Sequence, residues 1–531
     1  MSGVSGDSAD GVAGEAANAV SSDGASAVSG DAAAAVAGYG AALRRASYTV
    51  DGIRQLIGAD ADTALAAGRV GPARRALSAP DVSGEPAAVL ARLFLLGDPV
   101  PVPVARAVLG DLAAAVGLGL VAIDGEIVRA PVDVTPYAED GADWWVVSDR
   151  GDPAAADHVL GVGGASLSLA GLTPRRPAGS ALDVGTGCGV QALHLSRHCR
   201  RVVGTDTNPR ALRLAALTAG LSGVPLQLRH GSLLAPVAGE RYDLVVSNPP
   251  FVISPGQVYR YRDSGLPLDS LAPTLLRALP DHLHDGGHAV VLANWLHVRG
   301  QDWRDRVAQW VDGIGCDAWV AQREVQDLPS YVELWLGDAG RQAGAAHEHQ
   351  YDEWLAALTA AGAEGVGFGW VVLRASGRAD PWVEVQDVRT APRQPRGDEV
   401  LDRLAWHDRL GAADAASLLA SPLRWSGPVR IRREYAVLDQ QASATVELPA
   451  AVDRWDGWQA PIGVAVEVLD VIDHITTHGV PLADAIDARV AATAGEPAAA
   501  DPDELLAACL ISARELIDAG LLVPAAPPIP G

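Results

Sequence analysis

Residues 180–195 read SALDVGTGCGVQALHL, residues 201–215 read RVVGTDTNPRALRLA, and residues 242–251 read YDLVVSNPPF. Each contains a short apolar run that ends on glycine, proline, asparagine or aspartate, as expected of a buried strand stopping at a turn. The first two continue into helical spacing, Gly189–Arg197 and Pro209–Ser222. Asn208 before Pro209 offers an N-cap with proline at N1. Further strands are expected at Leu226–His230, Tyr242–Ser247, Gly287–Asn294 and Cys316–Arg323, with helices at Leu268–Leu283 and Asp302–Gly313. This alternation predicts an α/β fold with a doubly wound parallel sheet over residues 180–376.

Such sheets bind ligands beyond the carboxyl ends of their strands, where the strand order reverses. Three clusters belong there. Asp183, Gly185, Thr186, Gly187 and Gly189 form a glycine loop whose backbone can approach a ligand and present N–H groups. The third glycine of a dinucleotide fingerprint would fall at Val190, which disfavours NAD. Asp206 ends the next strand, where a carboxylate can accept from both hydroxyls of a ribose. Ser247 then precedes Asn248-Pro249-Pro250-Phe251. Two prolines remove two N–H donors and stiffen that loop. The Asn248 side-chain oxygen and the Pro249 carbonyl remain as rigid acceptors for the two N–H groups of a planar amine or amide, with Phe251 over its flat face. The chemistry this suits is positioning of a nitrogen against an electrophile.

Together DVGTGCG (183–189), Asp206 and SNPPF (247–251) resemble the class I S-adenosylmethionine-dependent methyltransferases. More narrowly, they resemble the small-domain N-methyltransferases with an Asn-Pro-Pro-Tyr/Phe signature. That group includes release-factor glutamine N5-methyltransferases and rRNA guanine or tRNA adenine N-methyltransferases. The resemblance covers about residues 180–300. It implies a Rossmann-like methyltransferase sheet and S-adenosyl-L-methionine as cofactor. By it, Asp183, Gly185, Thr186, Gly187 and Gly189 surround the methionine part, Asp206 binds the ribose, and Thr207 and Asn208 border the adenosine. Asn248 grips the substrate nitrogen.

Two positions depart from the pattern. Gly231 and Ser232 stand where relatives often carry an aspartate for the adenine amino group, leaving the Ser232 hydroxyl or the backbone for that contact. Phe251 replaces the tyrosine common in the glutamine-methylating branch. The expected partner is a protein substrate carrying a glutamine-type amide, a translation factor or ribosomal protein. The alternative is a base amino group of structured RNA, in rRNA or tRNA. A catalytically silent cofactor-binding module is a third reading, against which the intact Asn248–Phe251 weighs.

The flanks are less specific. Residues 1–36 lack aromatic residues and read as a disordered tail. Residues 37–135 read as helices followed by a hairpin around Asp124-Gly125, a winged-helix-like domain. Residues 136–179 read as a connector and cofactor flap with a strand at Trp144–Val147. Residues 377–396 read as a linker, and 397–531 as a C-terminal α+β domain, again winged-helix-like.

Composition bounds the rest. The 531-residue chain has a net charge of −24, which opposes non-specific clinging to nucleic acid. All 41 of its cationic residues are arginine, so a P-loop lysine, a Schiff-base lysine and a Ser-Lys dyad are excluded. Cys188, Cys199, Cys316 and Cys509 are widely spaced, as in a reducing compartment. Neither a signal peptide nor a membrane span is read, and a cytoplasmic location with no membrane partner is expected. Tyr259, Arg260, Tyr261, Arg262 and Asp263 are candidates for substrate contact or a solvated loop. Trp295 is a pocket wall or core. Arg424, Arg430, Arg432 and Arg433 are a phosphate-facing patch or a set of internal ion pairs. His194 and His198 lack a third ligand at metal spacing and read as structural.

Overall fold

The structure is a computed structural model and describes residues 30–150, 155, 157–255, 268–338, 344–412, 415–439, 444–455, 457–494 and 501–525. It divides into two compact units. One holds the described residues up to Ala170 together with Pro177–Gln386; the other holds Gly171–Arg176 and the chain from Asp387 onward.

The first unit is organised by an eight-stranded sheet. Its strands are β1 (Ala178–Val184), β2 (Cys199–Asp206), β3 (Gln227–His230), β4 (Tyr242–Ser247), β5 (Leu283–Val298), β6 (Asp317–Gln326), β7 (Ala363–Arg374) and β8 (Val383–Asp387). Their order is β3-β2-β1-β4-β5-β7-β6-β8. β1 to β5 are paired in parallel, and β7 runs antiparallel to both β5 and β6. Strands buried on both faces read as near-continuous apolar runs, which is why they are visible in the sequence. The chain leaves β1 toward β2 and β3, then returns to β4 on the other side of β1. The switch point therefore lies between β1 and β4, at the glycine loop and the Asn-Pro-Pro-Phe loop. Ser247 Oγ donates to the Val184 carbonyl at 2.8 Å and ties the two strand ends together.

Several expectations shift. Part of the expected tail 1–36 is ordered, because Gly30–Arg45 is a helix; residues 1–29 lie outside the described residues. Alanine-rich sequence favours the helix, and packing holds it. It crosses helix Pro209–Ser222 so closely that a Cβ on Gly40 would lie 2.2 Å from the Leu221 carbonyl oxygen, and one on Gly220 would lie 2.6 Å from Val36 Cγ1. Within the expected linker 377–396, Val383-Glu384-Val385-Gln386 alternates apolar and polar residues and forms β8 at the sheet edge. There the Trp319 indole donates to Gln386 Oε1 at 3.3 Å.

The expected connector 136–179 holds more structure than one strand. Val132–Glu139 and Ala142–Asp149 form a hairpin turning on Asp140 (φ 48°) and Gly141 (φ 76°), the geometry an Asp-Gly pair supports. The exposed edge of the second strand is satisfied by helix Pro209–Ser222. Trp145 N donates to Ser222 Oγ at 3.0 Å and Val147 N to Thr218 Oγ1 at 2.9 Å, so the amides are not orphaned. Tyr48, Trp145, Leu193 and Leu214 belong to one continuous core. Gly164–Leu172 is helical. Residues 171–176 group with the second unit, where a Cβ on Gly397 would meet the Thr173 carbonyl oxygen at 2.0 Å.

The second unit carries helices Gly397–Ala412, Val466–His478, Leu482–Thr493 and Pro502–Asp518 with one three-stranded sheet and two short strand pairs. Leu469, Ile472, Ile475 and Leu516 lie at its core.

Candidate active site

The turn after β1 is built on three left-handed glycines, Gly185 (φ 75°), Gly187 (φ 54°) and Gly189 (φ 85°), where side chains are strained. A Cβ on Gly189 would crowd Ala215 at 3.2 Å, but one on Gly185 or Gly187 would meet nothing within 4 Å. Those two glycines therefore face open space. The amides of Gly185 and Thr186 both donate to the Thr205 carbonyl at 2.9 Å, which fixes the loop to β2. Gly204 on β2 makes room for it, because a Cβ there would lie 3.0 Å from Thr186 Oγ1. Gly204 is missed by motif reading, since its role is only to let Thr186 approach.

Asp183 is 1 % exposed and accepts from Thr186 Oγ1 at 2.6 Å. Burial pushes its carboxyl up to about 7, with the Thr186 hydroxyl opposing and the Asp206 charge adding to the rise. Asp206 is also raised by burial, against the backbone amides of Asn208 and Gly187, which lower it. Its Oδ2 accepts from Gly187 N at 2.9 Å and its Oδ1 from Asn208 N at 2.8 Å. Cys188, within the loop, is buried, and its thiol is pushed up to about 12 by desolvation; it stays protonated and is no nucleophile.

Asn208 is fully engaged. Its Oδ1 caps Arg210 N at 2.9 Å and its Nδ2 donates to the Asp157 carbonyl at 2.9 Å. The Thr207 carbonyl faces His230 Nε2 at 3.1 Å. Arg210 pairs with Asp149 of the hairpin, so the hairpin braces the segment after β2. Gly231 (φ 150°) donates through its amide to the Asp206 carbonyl at 3.0 Å, and Pro236 fills the place of its Cβ, at 2.6 Å. Ser232 is exposed, and Leu233 beside it sits at φ 48°, an uncommon conformation for leucine.

Across the switch point, Asn248 Oδ1 is buried and has no hydrogen-bond partner. Pro249, Pro250 and Phe251 line a small hollow with Asn294 and Leu271. The loop is held from behind: Ile253 N donates to Tyr331 Oη, its carbonyl accepts from Trp354 Nε1, and Phe251 meets Trp335 edge-on at 6.2 Å. Trp295 is core, stacked on Trp303 at 5.9 Å and 7° and donating to Gln322 Oε1 at 3.0 Å. The residue that faces the hollow is its neighbour Asn294.

Three of the four patch arginines form ion pairs, while Arg424 donates to the Trp425 carbonyl at 3.4 Å. Arg430 and Arg432 share Asp453, and Arg433 binds Glu447. His194 faces Tyr137 Oη at 2.8 Å within the core. No cluster of three metal-ligating side chains occurs among the described residues, nor a helix long and apolar enough to cross a membrane. Tyr259 to Asp263 lie outside the described residues.

Residues 162–297 match the family described as the methyltransferase small domain, and residues 45–131 match a family described as a domain of unknown function. A release factor glutamine methyltransferase from Geobacter sulfurreducens is 32% identical over 128 residues, 22% of this chain and 45% of that protein. A ribosomal RNA small subunit methyltransferase C from Escherichia coli is 32% identical over 133 residues, 25% of this chain and 35% of that protein. The chain thus spans less than half the length of these curated relatives. Among solved structures, a Thermus thermophilus 16S rRNA N2 G1207 methyltransferase in complex with AdoMet and guanosine aligns with a TM-score of 0.26 at 19% identity. That alignment covers 43% of this chain and 63% of the other.

Proposed function

Since the chain carries a methyltransferase small domain over residues 162–297, we propose that it transfers a methyl group from S-adenosyl-L-methionine to a planar nitrogen. The preferred acceptor is a glutamine-type amide of a translation-related protein. The observation that carries this reading is the buried, unpartnered Asn248 Oδ1 beside the switch point. Buried acceptors are nearly always satisfied, and a substrate N–H would satisfy this one.

The residues present fit the cofactor. Gly185 and Gly187 leave the approach to their backbone clear, and Asp206 can reach a ribose with the lone pairs its two backbone bonds leave free. Thr207 and Asn208 border the adenosine. Asn208 does so by position, its side chain and its backbone N–H both being engaged. Ser232, exposed between Gly231 and Leu233, offers hydroxyl and amide to the adenine. The methionine part lies against Asp183, Thr186 and the loop.

S-adenosylmethionine supplies an electrophilic methyl on a sulfonium. Asn248 Oδ1 and the Pro249 carbonyl hold the two N–H groups of the acceptor, Pro250 stiffens the loop, and Phe251 limits the depth of the hollow. With the cofactor bound, transfer would form a C–N bond at the expense of the C–S bond, and the nitrogen would release a proton to solvent. Held this way, the nitrogen reacts from a near-attack geometry. Amides and base amino groups are both planar N–H donors, so RNA is the second reading; both relatives' names, one a glutamine and one a ribosomal RNA methyltransferase, motivate it. Titration calorimetry with S-adenosylmethionine tests the cofactor claim. Saturable one-site binding supports it, and absence of binding heat at millimolar cofactor overturns it.

A further inference from the structure

On β5, Ala289, Val291, Ala293 and Trp295 pack in one layer with Leu275 and Val307. Strand pleating sends Asn294 and Leu296 to the opposite face, where Leu296 joins Val252, Ile253 and Tyr331. Asn294 is 4 % exposed and lines the same hollow as Pro249, Pro250 and Phe251. Its Nδ2 is buried and makes no hydrogen bond. It is the donor counterpart of the unpartnered acceptor on Asn248.

An orphan donor in the hollow, and an orphan acceptor on Asn248 next in sequence to its Pro249 wall, describe a ligand with the opposite pair. A carboxamide has it: an N–H for Asn248 Oδ1 and, one bond away from that nitrogen's carbon, a carbonyl oxygen. Resting on the methyl-transfer reading above, we infer that Asn294 Nδ2 donates to the carbonyl oxygen of a substrate carboxamide, which makes Asn294 a specificity-determining residue. A guanidinium at the same place would set donor against donor and be rejected, as sites built to hydrogen-bond a substrate reject partners that leave them unpaired.

The test uses methyl-labelled S-adenosylmethionine with the protein and RNA fractions of a cell lysate. Acid hydrolysis releases labelled methylamine from an N-methyl carboxamide, whereas methylated arginine survives it. Wild type is expected to yield methylamine from the protein fraction. Asn294→Asp keeps the shape and removes the donor; its rate at subsaturating acceptor should fall about 30-fold, chiefly through acceptor KM, with the cofactor dissociation constant unchanged. Asn294→Ser, which retains a hydroxyl donor, should recover part of the rate. Wild-type rates in both Asn294→Asp and Asn294→Ala would overturn the Asn294 assignment alone. Label confined to RNA would overturn the carboxamide, and no label in either fraction would overturn the methyl-transfer reading itself.

Discussion

The Gly187 amide donates to Asp206 Oδ2 at 2.9 Å, so the residue proposed to hold a ribose also locks the turn after β1 to the tip of β2. Replacing Asp206 with alanine removes this bond and the one from Asn208 N. Bonds to a charged acceptor are worth about 1.5–3 kcal/mol each. Asp206→Ala should therefore weaken S-adenosylmethionine at least about tenfold by calorimetry, and Asp206→Asn less. Unchanged affinity in Asp206→Ala would remove Asp206 from the ribose site.

Asp183 gives a pH signature. Burial raises its carboxyl to about 7, above the ordinary value of about 3.9. The native state then holds the proton more tightly than the unfolded chain. The stabilisation from that proton is complete below about pH 4 and is lost as pH rises through 7. Asp183→Asn carries no charge to desolvate. In cofactor-free protein, its stability advantage over wild type should be small near pH 4.5 and grow to a few kcal/mol by pH 8. Urea midpoints across that range check it, and a pH-independent difference would contradict it.

Gly185 separates loop conformation from binding. Alanine there is strained at φ 75°, at a cost of about 1–2 kcal/mol, yet meets no neighbour within 4 Å. Gly185→Ala should lower stability by that modest amount while reducing cofactor affinity more than tenfold, since its methyl enters the space assigned to the cofactor. Melting and calorimetry on one preparation distinguish the two effects; a stability loss with intact affinity would move the cofactor away from this glycine.

The helix crossing in the first unit predicts its own weak point. Gly40→Ala drives a methyl against the Leu221 carbonyl and should cost about 1–3 kcal/mol by overpacking, read as a lower urea midpoint. A neutral substitution would mean that helix Gly30–Arg45 is not seated on Pro209–Ser222.

The parallel sheet was legible because its central strands are largely buried and end on turn residues. Pro209–Ser222 and Tyr242–Ser247 have the bounds their caps and prolines suggest. What escaped the sequence depended on tertiary partners. The hairpin Val132–Glu139 with Ala142–Asp149 is held by Thr218 and Ser222, which are far along the chain. β8 hides in a stretch whose prolines and arginines suggest a linker. At the site, the motif exposed Asn248 but not Asn294, because the large Trp295 beside it drew attention to the wrong face of β5. A single asparagine at a strand end carries no periodic signal; only its burial and its unmet donor distinguish it. Asn208 was legible as a cap, and that same role removes its side chain from cofactor binding.

Transfer of a labelled methyl group from S-adenosylmethionine to fractionated lysate, with wild type beside Asn248→Ala, is the most direct measurement. Label should enter an amide-bearing protein acceptor with wild type. With Asn248→Ala, the rate should fall about 100-fold, the scale expected when a reacting nitrogen loses its positioning, while cofactor affinity is retained. No transfer by wild type, or equal transfer by Asn248→Ala, would contradict the account.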